Sequence, residues 1–250
     1  MVLVPLFAFR PAFVLVIMVA ICVGTVEMVR AIGTAGTHPP LVPLLAGGVG
    51  TLALAWFTSA EALIVGLVLT AIAVMVWRLG DGPVGYQRDV LAGVLVAAYV
   101  PFLAGFAILL TVPEDGTLRV ITFISTVVCS DVGGYCAGVL FGRHPMAPVV
   151  SPKKSWEGFA GSLLACAVAG MAFLTFGFGR AWWEGALYGL AIACAATLGD
   201  LAESMIKRDL RVKDMGTLLP GHGGVMDRLD SLLVAAPVAY LLLTAFAPPV

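Results

Sequence analysis

Charge is what this chain has least of. Only 12% of its 250 residues are Asp, Glu, Lys or Arg, roughly half the share in a soluble domain. A net charge of −1 leaves no bulk field to draw in nucleic acid. The five cysteines, Cys22, Cys129, Cys136, Cys166 and Cys194, include no CxxC pair. All lie in or beside apolar segments, where they read as small packing residues of helices. The N-terminus is apolar from Val2 to Phe9 and then meets Arg10-Pro11. It lacks a charged leader and a small-residue cleavage site, so no removable signal peptide is expected. There is no internal repeat, and no alternating pattern of the kind that builds a β-barrel.

What fills the chain instead is apolar sequence. Hydrophobic residues make up 60% and the mean hydropathy is +1.03, well beyond the roughly 45–50% of soluble domains. This composition predicts a polytopic membrane protein. Backbone groups in lipid must pair within their own segment, so the spans are helices. Candidate spans are 11–29, 41–57, 60–78, 90–111, 119–142, 158–178, 182–199 and 231–248. The expected fold is an all-α bundle of about eight helices, with residues 2–9 as an interfacial stub or half of a ninth element. Residues 1–250 are expected to form a single transmembrane domain with a cytoplasm-facing polar cavity. The loops near 30–40, 78–89, 143–157 and 200–230 hold all the Lys and Arg except Arg10, Arg119 and Arg180. The positive-inside rule makes the basic side cytoplasmic. Glycine-rich helices such as 41–57, with Gly47, Gly48 and Gly50, suit close packing and are compatible with a homodimer.

Against this background three polar constellations stand out. Asp131, in Ser130-Asp131-Val132-Gly133-Gly134-Tyr135, lies inside an apolar run. A carboxylate there must face the bundle interior, a cation or water. Next comes Ser151-Pro152-Lys153-Lys154-Ser155-Trp156-Glu157-Gly158. Two prolines, Pro145 and Pro152, forbid a continuous helix and predict a short loop. Adjacent lysines beside a hydroxyl suit phosphate oxygens.

The third and densest constellation runs from Asp200 to Asp230. Residues 200–212 read as a helix, with Asp200, Ser204, Lys207 and Arg211 on its straightest stripe. Gly216, Gly221, Gly223 and Gly224 then let backbone N–H groups approach an anion. Asp227 and Asp230, three residues apart, share a helix face. With Asp214 they offer carboxylates of the kind that hold Mg²⁺ together with substrate phosphates. His222 is open to three roles: general base, phosphate contact or loop order. A phosphate monoester is already ionised near neutral pH, which favours the last two.

The segment Ser204-x-Ile206-Lys207-Arg208, Lys213-Asp214-x-Gly216, Leu219-Pro220-x-His222-Gly223-Gly224-Val225-x-Asp227-Arg228-Leu229-Asp230 resembles the signature of the phosphatidate cytidylyltransferase (CDP-diacylglycerol synthase) family. The Asp131 and Lys153-Lys154 segments and Gly199-Asp200 resemble that family in the same order. The specific likeness covers roughly residues 130–230 (before that it is one of hydropathy, with Glu27 near the end of an early span). The resemblance implies an enzyme that joins CTP to phosphatidic acid, giving CDP-diacylglycerol and pyrophosphate. It implies Mg²⁺, with room for a monovalent cation such as K⁺. Asp200, Asp214, Asp227 and Asp230 would form or border the metal site. Lys207, Arg208 and Lys213 would bind phosphates, and Ser204 phosphate or metal. Asp131, Lys153, Lys154, His222, Gly223, Gly224 and Arg228 would complete the substrate site. The expected location is the bacterial inner (plasma) membrane.

Three other readings bear on the same residues. The DGxxAR pattern of CDP-alcohol phosphotransferases is absent: neither Asp81-Gly82 nor Asp115-Gly116 is followed by Ala-Arg at the needed spacing. A cation transporter built on Asp131, Asp200 and Asp227 predicts broken helices at the midplane, whereas the polar residues here gather on one side. A cytidylyltransferase acting on a different phospholipid shares every feature above.

Overall fold

A computed structural model describes residues 10–218 and 223–248. The stub at residues 2–9, and His222 with it, lie outside the described residues. Nine α-helices and one small ribbon follow in order. They are α1 (Arg10–Gly33), α2 (Leu41–Phe57), α3 (Glu61–Leu79), α4 (Tyr86–Ala97), α5 (Leu103–Leu109), α6 (Gly116–Phe141), β1 (Pro145–Ala147), β2 (Ser151–Ser155), α7 (Trp156–Ala172), α8 (Trp182–Asp209) and α9 (Met226–Phe246). A π-helical turn at Ala98–Phe102 joins α4 to α5, so Tyr86–Leu109 is one membrane-length segment. Pro101 sits in that turn. A proline removes an intrahelical hydrogen bond and crowds the preceding turn, and the wider π turn absorbs both.

Among the described residues seven segments are long and apolar enough to cross a membrane, and α2, with 17 residues, is a shorter apolar helix. The protein is therefore an all-α polytopic membrane protein of about eight helical segments, as hydropathy predicts. Large apolar side chains such as Ile64, Leu69, Val139 and Leu164 are exposed, which suits a lipid solvent. The chain divides into two compact units. One comprises Met1–Val112 with Asp209–Leu229, the other Pro113–Arg208 with Asp230–Val250.

In the first unit α2 packs along α3, around the fully buried Leu44, Leu52 and Leu63. One end is tied by a buried ion pair. Arg78 Nε donates to Asp89 Oδ2 at 3.0 Å, and Arg78 Nη2 donates to the Val84 carbonyl at 2.9 Å. Asp89 Oδ1 accepts the His38 N–H at 2.8 Å. Both charges are buried, so each needs the other. The knot joins the loops after α1 and α3, two of the loops that share basic residues in the sequence.

In the second unit α6 packs along α7. Ser162 Oγ donates to the Ser130 carbonyl at 2.7 Å, and Cys166 Sγ to the Thr126 carbonyl at 3.2 Å. Such side-chain bonds between helices replace the hydrophobic drive that lipid removes. A methyl group at Gly189 of α8 would collide with the Cys166 carbonyl of α7. Only glycine permits that crossing. At the far end Arg119 is 2% exposed. Its Nε donates to Asp115 at 2.6 Å, and its other two nitrogens donate to the carbonyls of Leu243 (3.3 Å) and Ala247 (2.5 Å). Leu243 is in the last turn of α9 and Ala247 follows its end. The Leu243 carbonyl also accepts the Ala247 N–H at 3.0 Å, so the arginine adds a second donor at a helix C-terminus, where carbonyls run short of partners. The guanidinium also lies 5.7 Å from the Phe178 ring centroid, within cation–π range.

The loop predicted around Pro145 and Pro152 is an antiparallel ribbon, with Pro145 opposite Ser155 and Ala147 opposite Ser151. Prolines exclude helix and favour extended backbone, and the two short stretches use that backbone to pair.

Candidate active site

The site residues of the second unit are carried by α8, β2, α6 and the start of α9. Helix α8 has 28 residues, about 42 Å at 1.5 Å per residue. That exceeds a hydrocarbon core of about 30 Å, so the rod has length left over for its charged end, Asp200–Asp209. The span expected at 182–199 and the helix expected from 200 are one continuous helix, and α8 runs to Asp209. It ends sooner than expected, because Arg211 takes a left-handed φ of 56°, a conformation common just past a helix C-terminus. The polar stripe is therefore Asp200, Ser204 and Lys207, and Arg211 is off it.

Along that stripe Ser204 Oγ donates to Asp200 Oδ1 at 3.3 Å. Lys154 from β2 forms an ion pair with Asp200 Oδ2. Side chains alternate faces along a strand. Lys154 is half-buried against α8 while Lys153 is exposed. The ribbon is itself fixed at its base. Glu157 Oε2 accepts the N–H groups of Arg143 and His144 at 3.1 and 3.2 Å, and its Oε1 meets His144 Nδ1 at 2.5 Å. Ser155 caps α7 by accepting the Gly158 N–H at 3.1 Å. Arg208 Nε donates to the Val150 carbonyl at 3.3 Å, which holds the ribbon tip to the end of α8.

Between these elements lies a cavity of about 290 Å³, lined among others by Asp131, Lys153, Lys154, Asp200 and Ser231. Asp230 is half-buried and within electrostatic reach of Asp200, Lys207 and Asp131. Lys207 Nζ donates to Glu203 at 2.5 Å, and Glu203 is fully buried. Glu203 lies beside the straightest stripe, at three- and four-residue spacing from Asp200 and Lys207, and its role as Lys207's partner was not read from the sequence. The i, i+4 spacing of an acid before a lysine was the available signal.

The site residues of the first unit lie on the segment before α9 and in its first turn. Asp227 accepts the Met215 N–H on both oxygens, at 3.2 and 3.0 Å, and the Gly224 N–H at 2.8 Å. Gly223 has φ of 80°, a left-handed turn that glycine takes without strain. A methyl there would lie 3.0 Å from Asp227 Oδ2 and 3.5 Å from Asp214 Oδ1, so both carboxylates border it. Lys213, Asp214 and Arg228 are exposed. The residue that sequence reasoning left without a role is Glu27 of α1. It is 4% exposed, and its Oε2 accepts the Met226 N–H at 2.9 Å.

Among the described residues no three His, Cys, Asp or Glu side chains form a ready cation cage. The donor set still suits Mg²⁺, which prefers hard oxygens and takes one or two carboxylates plus substrate phosphates. Asp200 with the Ser204 hydroxyl, and Asp230 with Asp200 and Asp131 within its electrostatic reach, are donors of that kind.

A model of the "Cytidylyltransferase family" matches residues 1–246. A phosphatidate cytidylyltransferase of Mycobacterium leprae (strain TN) is 45% identical over 249 residues, covering 91% of this chain and 80% of that protein. One of Mycobacterium bovis is 43% identical over 258 residues, covering 98% and 84%. One of Haemophilus influenzae is 40% identical over 148 residues, covering 55% and 51%.

Proposed function

Because this chain belongs to the cytidylyltransferase family, we propose that it transfers the cytidylyl group of CTP to phosphatidic acid, giving CDP-diacylglycerol and pyrophosphate. A phosphatidate oxygen attacks the α-phosphorus of CTP in line with the departing pyrophosphate. One phosphorus–oxygen bond forms as the α–β bridge breaks. The phosphate monoester, with a second pKa of about 6, is already ionised, so no side chain need take a proton. The obstacle is the approach of two anions. Catalysis is then positioning and charge compensation.

The observation that carries this reading is the cavity of the second unit. It brings two lysines of a water-exposed ribbon beside acids of two membrane helices. Lys154, held in place by Asp200, offers a fixed cation to a phosphate, and Lys153 offers a mobile one at the rim. Lys207, steadied by Glu203, compensates a further negative charge. Asp131 lines the wall of the cavity on α6.

Mg²⁺ belongs to the proposal. Within the second unit Asp200, Ser204 and Asp230 are the residues that would offer it oxygens; within the first unit, taken by itself, Asp214 and Asp227 are. When bound it would neutralise phosphate oxygens and the leaving pyrophosphate. A monovalent cation such as K⁺ is proposed on the same surplus of acids. We also propose the bacterial plasma membrane, with the site on the cytoplasmic side. Its support is that basic loops share an end within each unit. A homodimer is proposed on the open apolar groove of Cys136, Leu140, Leu164 and Val168, and cross-linking through Cys136 tests it.

The deciding experiment uses purified protein with CTP, phosphatidate and Mg²⁺. The expected result is equal yields of pyrophosphate and CDP-lipid. Pyrophosphate without CDP-lipid, or no turnover, would overturn the assignment.

A further inference from the structure

Helix α1 is an apolar membrane helix, yet it buries a carboxylate two turns before its end. Glu27 is 4% exposed, where an unpaired charge is costly. Among the described residues no Lys or Arg pairs with it. Its Oε2 instead accepts the N–H of Met226, 199 residues away in sequence, at 2.9 Å. Met226 is the first residue of α9, and a first-turn N–H has no partner within its own helix. The positive end of the helix dipole favours an anion there. Glu27 therefore caps α9 from another helix.

The carboxylate also sets the two flanks of the preceding loop. A methyl on Gly224 would meet Glu27 first, 2.5 Å from Oε2, and a methyl on Gly216 would overlap the same carboxylate. Glycine at both positions leaves room for Glu27 and for nothing larger. From the other side Asp227 accepts the Met215 and Gly224 N–H groups. Two carboxylates thus bracket Met215, Gly216 and Gly224; Asp214 directly precedes Met215, and Asp227 stands in the first turn of α9.

We propose that Glu27 is a positioning residue for the cytidylyl transfer, acting by holding the first turn of α9, and with it Asp227, in register with Gly216 and Asp214. This rests on the function proposed above. It concerns a residue in a different helix from every acid assigned to the reaction. Its tether requires an acceptor oxygen rather than a charge, and its fit requires the two glycines.

The test compares Glu27→Ala, Glu27→Gln, Gly224→Ala and the Glu27→Ala/Gly224→Ala double variant, all in the full chain. Glu27→Ala should lower kcat roughly ten- to hundredfold, the weight of one hydrogen bond to a charged group, with a smaller change in KM for CTP. Glu27→Gln, which keeps an acceptor oxygen and the volume, should restore most of the rate. Gly224→Ala should be defective, and the double variant should be better than Gly224→Ala alone because the clashing group is gone. Amide exchange gives a readout independent of turnover. The Met226 N–H should exchange about ten- to hundredfold faster in Glu27→Ala, while the α6 amides stay as in the wild type.

Wild-type kcat and wild-type Met226 exchange in Glu27→Ala would overturn the proposal. So would a Gln variant as slow as Ala, or losses that simply add in the double variant. If the wild-type protein turned over no CTP, the reaction would be wrong. The exchange result would still decide whether Glu27 holds the first turn of α9.

Discussion

Replacing Asp227 by Asn changes one atom and one charge, and the structure says what each should do. Asp227 Oδ2 accepts the Gly224 N–H at 2.8 Å and the Met215 N–H at 3.0 Å, while Oδ1 makes a longer contact with Met215 at 3.2 Å. An asparagine can keep its single oxygen at the Oδ2 position and retain both shorter bonds. Its NH₂ then faces the Met215 N–H, donor against donor. The tether therefore weakens by losing charge assistance, about 1–3 kcal/mol. That is at most roughly 150-fold in rate if it all falls on the transition state. A carboxylate that also binds the cation should cost far more, and we expect a loss beyond roughly a thousandfold. The assay is the initial rate of pyrophosphate release by purified variant over a range of Mg²⁺ concentrations, with expression and thermal stability checked alongside. Wild-type turnover would refute any role for Asp227 in the site. A loss below about a hundredfold, with unchanged Mg²⁺ dependence, would refute cation binding and leave only the tether.

Other expectations follow from the same geometry. Lys154→Ala removes the partner of Asp200 and should raise the KM for CTP or phosphatidate about tenfold or more, the scale of a charge-assisted bond; unchanged values for both would remove Lys154 from the site. Lys207→Ala should weaken phosphate binding and leave Glu203 buried without its lysine; unchanged substrate dependence together with unchanged stability would argue against both roles. Arg119→Leu strips a buried cation from Asp115 and from the end of α9, at a cost of about 3 kcal/mol. In a chain of this size that is a fall in Tm of roughly 6–12 °C, and a shift under about 2 °C would show the contacts to be dispensable. Chelation of divalent ions should abolish turnover and Mg²⁺ should restore it; full activity in chelator would remove the metal from the mechanism.

The spans were legible because lipid leaves the chain little choice. Hydropathy placed one at 41–57, and α2 is Leu41–Phe57. Ends were less legible where a helix outruns its apolar stretch. The span predicted to stop at 199 continues to Asp209, since backbone hydrogen bonding does not stop where charge begins. The ribbon at Pro145–Ser155 was invisible as such, because five or fewer residues of strand carry no periodic signal and prolines announce only an absence of helix. In the site, the pairing of Ser204 with Asp200 follows helix spacing and could be anticipated. The meeting of Lys154 with Asp200 joins a ribbon to a helix, and that of Glu27 with Met226 spans 199 positions. No local pattern encodes either. Arg119 read as a stray cation on the sparsely charged side, and only its fold neighbours show it to be an anchor.

That anchor has a consequence for how the protein is made. Arg119 reaches carbonyls 124 and 128 residues further along the chain. A ribosome adding about 5–20 residues per second synthesises Ala247 roughly 6–25 s after Arg119. During that interval α6 must enter the membrane with an arginine whose final partners have not yet been synthesised. Asp115, four residues earlier and 2.6 Å away, emerges first and can hold the charge from the start. The ion pair serves the nascent chain as an escort, and the second unit is locked only when its last helix arrives.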